Sequence, residues 1–297
     1  MPLRHILLAI CVAFIYGIAF VAIKLAVLEM PPLQVTGWRF LMTAVPLIFF
    51  IKPPKVAFYW PVAFGLVQGF LMFGLIFTAI AWGMPGGLTS LVAQLQVFFT
   101  IGFAAVLFRE RPLKHQYVGA AIAFLGIFIT GWSKFQDAAP LFPFMMVVLA
   151  ALLWGVANII AKAARPPDML AFVIWGSLAA PVPLFLASMV FEGTEFALPP
   201  AMPSFTAIGA VLFMAYLATV FAFTAWNWLL RQYPAATVTP FALLIPIFGF
   251  SSMAVVFGER ISALTMLGAL VVFIGLAINV FGAKLFPSGK GVIKAQP

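Results

Sequence analysis

Polar side chains inside apolar runs are rare in this chain, and their spacing indicates what they could touch. Tyr16-Gly17 and Lys24 in the first apolar run recur 138 residues later as Trp154-Gly155 and Lys162. Read as helices, these runs put Tyr16, Phe20 and Lys24 on one face, and Trp154, Asn158 and Lys162 on one face of the other. An aromatic ring at mid-depth with an amide or a cation beside it suits a small amphipathic solute. The plainer alternative is that the rings pack and the lysines snorkel to the headgroups, which is the expectation for Lys24 and Lys162. For Trp154 and Asn158 a cavity lining is expected, because an amide in hydrocarbon needs a partner.

A third polar set is Ser90, Gln94 and Gln96. Helical spacing places Ser90 and Gln94 on one face, and Gln96 on another with Thr89 and Thr100. One glutamine could face a cavity while the other bonds a neighbouring helix; spacing alone leaves open which. Tyr216, Asn227, Gln68 and Trp226 are further candidates, each a structural residue first, and Tyr216 and Asn227 complete the expected substrate-binding set. Arg39 has Glu29 within reach as a structural ion pair. All seven acids fall at helix ends or in loops, so no carboxylate sits at mid-depth to hold a cation or relay a proton. The only cysteine, Cys11, excludes an intrachain disulfide and a thiolate metal cluster. No phosphate-binding loop, His/Glu metal set or nucleophile elbow occurs, so an enzyme is not expected, nor is a cofactor or a metal.

Elements that position these residues follow from composition. Of 297 residues, 65% are hydrophobic and only 8% charged, with a mean hydropathy of +1.17. So few charges cannot cover a water-soluble fold, and an all-α membrane protein follows. At about 20 residues per span, ten helices are expected near 6–28, 33–51, 58–82, 86–108, 115–132, 141–163, 169–191, 204–230, 236–257 and 262–282. The first is read as a retained helix, because the run after Arg4 continues without a small-x-small cleavage site. Of the sixteen Lys and Arg, twelve fall in alternate segments beginning with the N-terminus, which puts both termini in the cytoplasm. The net charge of +9 is scattered through short loops and forms no nucleic-acid patch.

The stretch from Pro85 to Gly131 returns 149 residues later as Pro234 to Val280. Phe108-x-Glu110-Arg111 falls on Phe257-x-Glu259-Arg260, and Gly119 and Gly126 fall on Gly268 and Gly275. Such rare letters do not fall in register through apolar bias. Five helices per copy is an odd number, so the copies enter the membrane in opposite directions, as two inverted five-helix repeats over residues 1–135 and 136–297. The second ends in a short basic cytoplasmic tail. One charged elbow then lies at each face: Glu110-Arg111 inside, Glu259-Arg260 outside. Pro240 and Pro246 should kink the ninth helix, and these six residues are the candidates for gating or hinge motion.

The stretches Met30-Pro31-Pro32-Leu33, Gly37-x-Arg39-Phe40, Gly83-Met84-Pro85-x-Gly87-Leu88, Ser90-Leu91-Val92-x-Gln94-x-Gln96-x-Phe98-Phe99-Thr100 and Ile278-Asn279-Val280-Phe281-Gly282 carry a resemblance. With them the chain resembles the EamA family of the drug/metabolite transporter superfamily, and within it the bacterial amino-acid metabolite exporters of the O-acetylserine/cysteine type. The resemblance spans nearly the whole chain. It implies a monomeric bacterial inner-membrane exporter of neutral amino acids and related metabolites, working by alternating access through a central apolar cavity. Membrane lipid and the small-molecule substrate are the partners it implies. The alternatives are a lipophilic-drug or small-metabolite exporter of the same superfamily, a nucleotide-sugar or lipid-carrier translocator, and, in a different class, a non-transporting membrane subunit or intramembrane enzyme. The missing mid-depth acid argues against the first, and the scarcity of deep basic residues against the second.

Overall fold

The computed structural model describes residues 1–109, 112–136, 141–199, 201–233, 238–259 and 262–285. Among these the chain is helical throughout; its only β pairing is the isolated Glu195–Leu198 bridge in a loop. We number the helices α1 (Leu3–Val27), α2 (Pro32–Ala44), α3 (Tyr59–Ala81), α4 (Gly86–Leu107), α5 (Lys114–Gln136), α6 (Leu141–Ala164), α7 (Met169–Glu192), α8 (205–232), α9 (239–257) and α10 (Ala263–Leu285). Seven are long and apolar enough to cross a bilayer: α1, α3, α4, α6, α7, α8 and α10. Helix α9 is apolar but shorter, and α2 runs for 13 residues before a 3-10 turn at Leu47–Phe49.

Several of these helices change pitch partway. Helix α3 is π-helical over Gly65–Met72, and α8 over Phe213–Phe221. Helix α4 tightens to a 3-10 turn at Ala93–Leu95, and α9 starts with one at Thr239–Leu243. Under the 149-residue offset each irregular stretch overlays its counterpart. Pro240 falls inside the opening 3-10 turn of α9 and Pro246 just after it. The α-helical part, Leu244–Phe257, begins only two residues before the buried Pro246, whose missing N–H falls in a first turn that needs none.

Close backbone contacts repeat in the same way. Helices α5 and α10 pack antiparallel: a Cβ on Gly119 would lie 2.6 Å from the Gly275 carbonyl oxygen, and one on Gly126 2.6 Å from that of Gly268. Each contact is the other moved by the offset. Gly17 of α1 abuts Phe248 and Gly249 of α9, as Gly155 of α6 abuts Phe99 and Thr100 of α4. Without water to drive association, apolar helices adhere through such close approach of small residues.

One end of the bundle collects carboxylates as helix caps and clasps. Glu192 accepts from the Leu33 backbone N–H at 2.8 Å, capping the start of α2, and from Ser188 at 2.6 Å. Glu29, just past α1, accepts from the Ser204 hydroxyl and backbone N–H at 2.6 and 2.8 Å. Those bonds, the hydroxyl foremost, hold its carboxyl below the usual range. The Gln34 side chain donates to the Leu198 carbonyl and Trp38 Nε1 to that of Ala197, so the loop after α7 lies over α2. At this same end Lys24 meets Glu259.

Candidate functional site

The site is built at the contact of α4 with α6. The 3-10 turn at Ala93–Leu95 has fewer residues per turn than an α-helix, so it shifts the phase of everything after it. Gln96 and Thr100 then face α6, stacked one turn apart, with the Thr100 hydroxyl donating to the Gln96 backbone carbonyl at 2.7 Å. From α6, Asn158 Nδ2 donates to Gln96 Oε1 at 2.7 Å and to Thr100 Oγ1 at 3.0 Å. Both protons of the Asn158 amide are thereby used. Its carbonyl oxygen and the Gln96 Nε2 make no bond to a described residue, which leaves one acceptor and one donor group side by side. All three residues are half-buried.

Gln94 goes elsewhere. It is buried, on the face of Ser90, whose side chain lies against Gly249 of α9. Trp154, one turn before Asn158, packs beside Phe20, Phe73 and Phe213 on a cluster of buried residues that includes Ile23, Ile76, Ala150 and Met214. Tyr16 packs on the adjoining cluster of Val12, Ala218 and Ala222, which Phe213 also touches. Tyr216 is half-buried in the π-helical stretch of α8. The side chains of Asn227 and Pro240 lie outside the described residues, as do Glu110, Arg111 and Arg260 entirely.

Two expectations fail. Arg39 does not pair with Glu29, which Ser204 occupies. Its Nη2 donates to Thr219 Oγ1 of α8 at 3.3 Å, and its guanidinium lies over the rings of Phe73 (4.0 Å), Phe40 (5.3 Å) and Phe77 (5.7 Å). Arg39 is 7% exposed, and its buried Nε has no partner among the described residues. A cation at mid-membrane costs about 3 kcal/mol on insertion scales; a desolvated cation–π contact returns about 2 kcal/mol. The arrangement is thus tolerated without a carboxylate.

Nor does Lys24 snorkel. Its Nζ donates to Glu259 Oε1 at 2.7 Å and sits 4.5 Å from the centre of the Phe257 ring. Glu259 Oε1 also accepts from the Gly86 backbone N–H at 3.3 Å, while Oε2 is buried without a partner. One carboxylate therefore ties the ends of α1 and α9 to the start of α4. Such a partner, 235 residues away, has no signature in local spacing. The corresponding Lys162, in the second half, lies 5.2 Å from the Phe108 ring of the first.

Two open concavities lie away from the amide cluster. One of about 430 Å³ is lined by Phe124, Ile127, Phe128, Trp132, Leu141, Phe144 and Met145, an apolar groove between α5 and α6 of the kind lipid chains fill. Another, of about 260 Å³, lies beside Glu259 among Phe250, Ser251, Ala254 and Met266. Among the described residues no group of His, Cys, Asp and Glu could hold a metal ion.

Comparison with known proteins agrees with this architecture. The sequence profile of the EamA-like transporter family matches residues 3–132 and 141–281. A protein of Escherichia coli K12 named "Probable amino-acid metabolite efflux pump" is 36% identical over 283 residues, covering 93% of this chain and 95% of that one. Its namesake in Salmonella typhimurium LT2 is 35% identical, covering 94% and 95%. A solved crystal structure superposes with a TM-score of 0.64 at 18% identity, covering 96% of this chain and 99% of that one; this likeness speaks for the fold alone.

Proposed function

The chain belongs to the EamA-like transporter family, a multi-pass membrane protein and not an enzyme, and we propose that it exports neutral amino acids and related metabolites across a bacterial inner membrane. The observation that carries this reading is the amide cluster of Asn158, Gln96 and Thr100. It offers an unused carbonyl oxygen to an ammonium group and an unused amide N–H to a carboxylate, with no fixed charge of its own. A zwitterion needs both. The relatives named as amino-acid metabolite efflux pumps support the same substrate class.

Transport proceeds by alternating access between two inverted five-helix halves, residues 1–135 and 136–297, in ten transmembrane helices. Support comes from the glycine contacts, π-helical stretches and 3-10 turns that recur between the halves, at an offset of 149 and, for Gly17 and Gly155, of 138. The lysine and arginine bias supports cytoplasmic termini. Tyr16, Gln96, Trp154, Asn158, Tyr216 and Asn227 line the path. Gln94, which is buried, takes part through packing within the bundle. The elbows Glu110-Arg111 and Glu259-Arg260, with the helix junction at Pro240 and Pro246, are the gating elements. One chain carries a complete path, so a monomer suffices.

Radiolabelled amino-acid flux in proteoliposomes tests this. Asn158→Leu removes the acceptor and strands Gln96 Oε1 and Thr100 Oγ1, and it should cut flux at least about tenfold. Trp154→Ala should raise KM several-fold. Flux unchanged in both, with wild-type melting temperatures, would remove the cluster from the path. A panel of amino acids, lipophilic cations and sugar phosphates, run with and without a pH gradient, separates the other transporter classes and establishes coupling.

A further inference from the structure

Arg39 is a buried cation with no counter-ion among the described residues. Four of the five described acids already have an engagement, Glu29 with Ser204, Glu192 with Leu33 and Ser188, Glu259 with Lys24, and Asp168 as the cap of α7, and the fifth, Glu195, is exposed in the loop after α7. No described carboxylate pairs with Arg39. Thr219 is a weak substitute, because its own proton goes to the Met214 carbonyl at 2.8 Å and it offers Arg39 only a lone pair. The contact lies fourteen residues into α8, roughly 20 Å from its start at about 1.5 Å per residue, well away from the helix end.

Around the guanidinium the walls are aromatic on the α3 side, and Tyr16 of α1 lies close enough to interact with it electrostatically. The Tyr16 hydroxyl donates to no described residue. Phe73, under Arg39, packs against the same buried cluster as Trp154, which neighbours Asn158 in α6. A permanent cation with an unsatisfied N–H, beside a phenol that donates to no described residue and with no described acid as partner, has the chemistry to receive a carboxylate.

We propose that Arg39, with the Tyr16 hydroxyl, binds the carboxylate of the transported solute in place of the Gln96 N–H. This rests on the amino-acid reading above and narrows it to solutes with a free carboxylate. Carboxyl-blocked analogues of the same size should be poor substrates.

The test uses the full chain in proteoliposomes, with L-phenylalanine, phenylalaninamide and phenethylamine competing against radiolabelled L-leucine. In the wild type, phenylalanine should compete about 30-fold better than either analogue. Arg39→Gln should raise KM for leucine by a similar factor, erase the preference for phenylalanine and leave inhibition by the amide unchanged. Arg39→Lys should restore part of the affinity with kcat close to the wild type. Equal losses for amino acid and amide in Arg39→Gln would overturn the proposal. If that variant does not fold, a wild type blind to the carboxylate, or Arg39→Lys without a change in KM, would do so. A wild type that moves another small carboxylate but no amino acid, and loses that flux in Arg39→Gln, would keep Arg39 as the receptor and overturn only the amino-acid reading. No flux of either kind would overturn both.

Discussion

Gly126→Ala should lower the melting temperature of the detergent-solubilised protein, although alanine is the better helix former. The added Cβ would stand 2.6 Å from the Gly268 carbonyl oxygen and 2.6 Å from the Val272 backbone nitrogen. Both obstacles are backbone, so no side chain can turn aside, and α5 must withdraw from α10 along its length. Overpacking of this kind costs about 1–3 kcal/mol, or roughly 5 °C for a chain of this size. Gly268→Ala meets the Gly126 oxygen at 2.8 Å from the other side and should cost a comparable amount. Because both replacements open the same interface, the double variant should lose less than the sum. Gly102→Ala in α4 is the internal control. Its Cβ would meet nothing within 4 Å, so helix propensity should dominate and stabilise by up to about 1 kcal/mol. Thermal melts of the four variants beside the wild type decide the matter; Gly126→Ala melting with the control would mean that the glycines do not hold α5 to α10.

These glycines were legible in the sequence as a spacing that recurs at an offset of 149, and the helix positions were legible from apolar runs between prolines. Both are signals of one helix at a time. What escaped was anything that depends on pitch. Constant 3.6-residue periodicity separates Gln94 from Gln96 but gives no reason to choose between them. The 3-10 turn at Ala93–Leu95 turns Gln96 and Thr100 to Asn158 and leaves Gln94 buried behind. The π-helical stretches of α3 and α8 were equally invisible, and Thr219 meets Arg39 from within one of them.

Charge pairing failed for a different reason. Glu29 was paired with Arg39 because the two are close in sequence and opposite in sign. At a helix end facing water, though, a carboxylate is as well served by the Ser204 hydroxyl and N–H, at no desolvation cost to a partner. Lys24 was given to the headgroups because its acid is 235 residues away. Sequence proximity is a poor guide to pairing where every helix end meets several others.

Glu259→Gln should change which side of the bundle stands open. The carboxylate binds Lys24 at the end of α1, the Gly86 N–H at the start of α4, and its own position after α9, so three elements are held at one end of the bundle. Lys24 is 26% exposed and Glu259 12%, so solvent screens the pair less than a surface bridge. Neutralising the acid leaves Lys24 over Phe257 without its counter-charge and weakens whichever conformation closes this end. A loss of about 1.4 kcal/mol there shifts the open-to-closed ratio about tenfold. The readout is Phe20→Cys, on the Tyr16 and Lys24 face of α1, in a background where the sole native cysteine is removed by Cys11→Ala. Labelling by a membrane-impermeant maleimide should rise from the periplasmic side of whole cells and fall in inverted vesicles. Glu110→Gln, the corresponding change in the first copy, should move both rates the opposite way. That opposition separates a gate from a general loosening, which would raise labelling from both sides in both variants. Amino-acid exchange should slow in each, because a cycle slows when either closed state is lost. Equal labelling of both variants and the parent from the two faces would show that the elbows do not govern access.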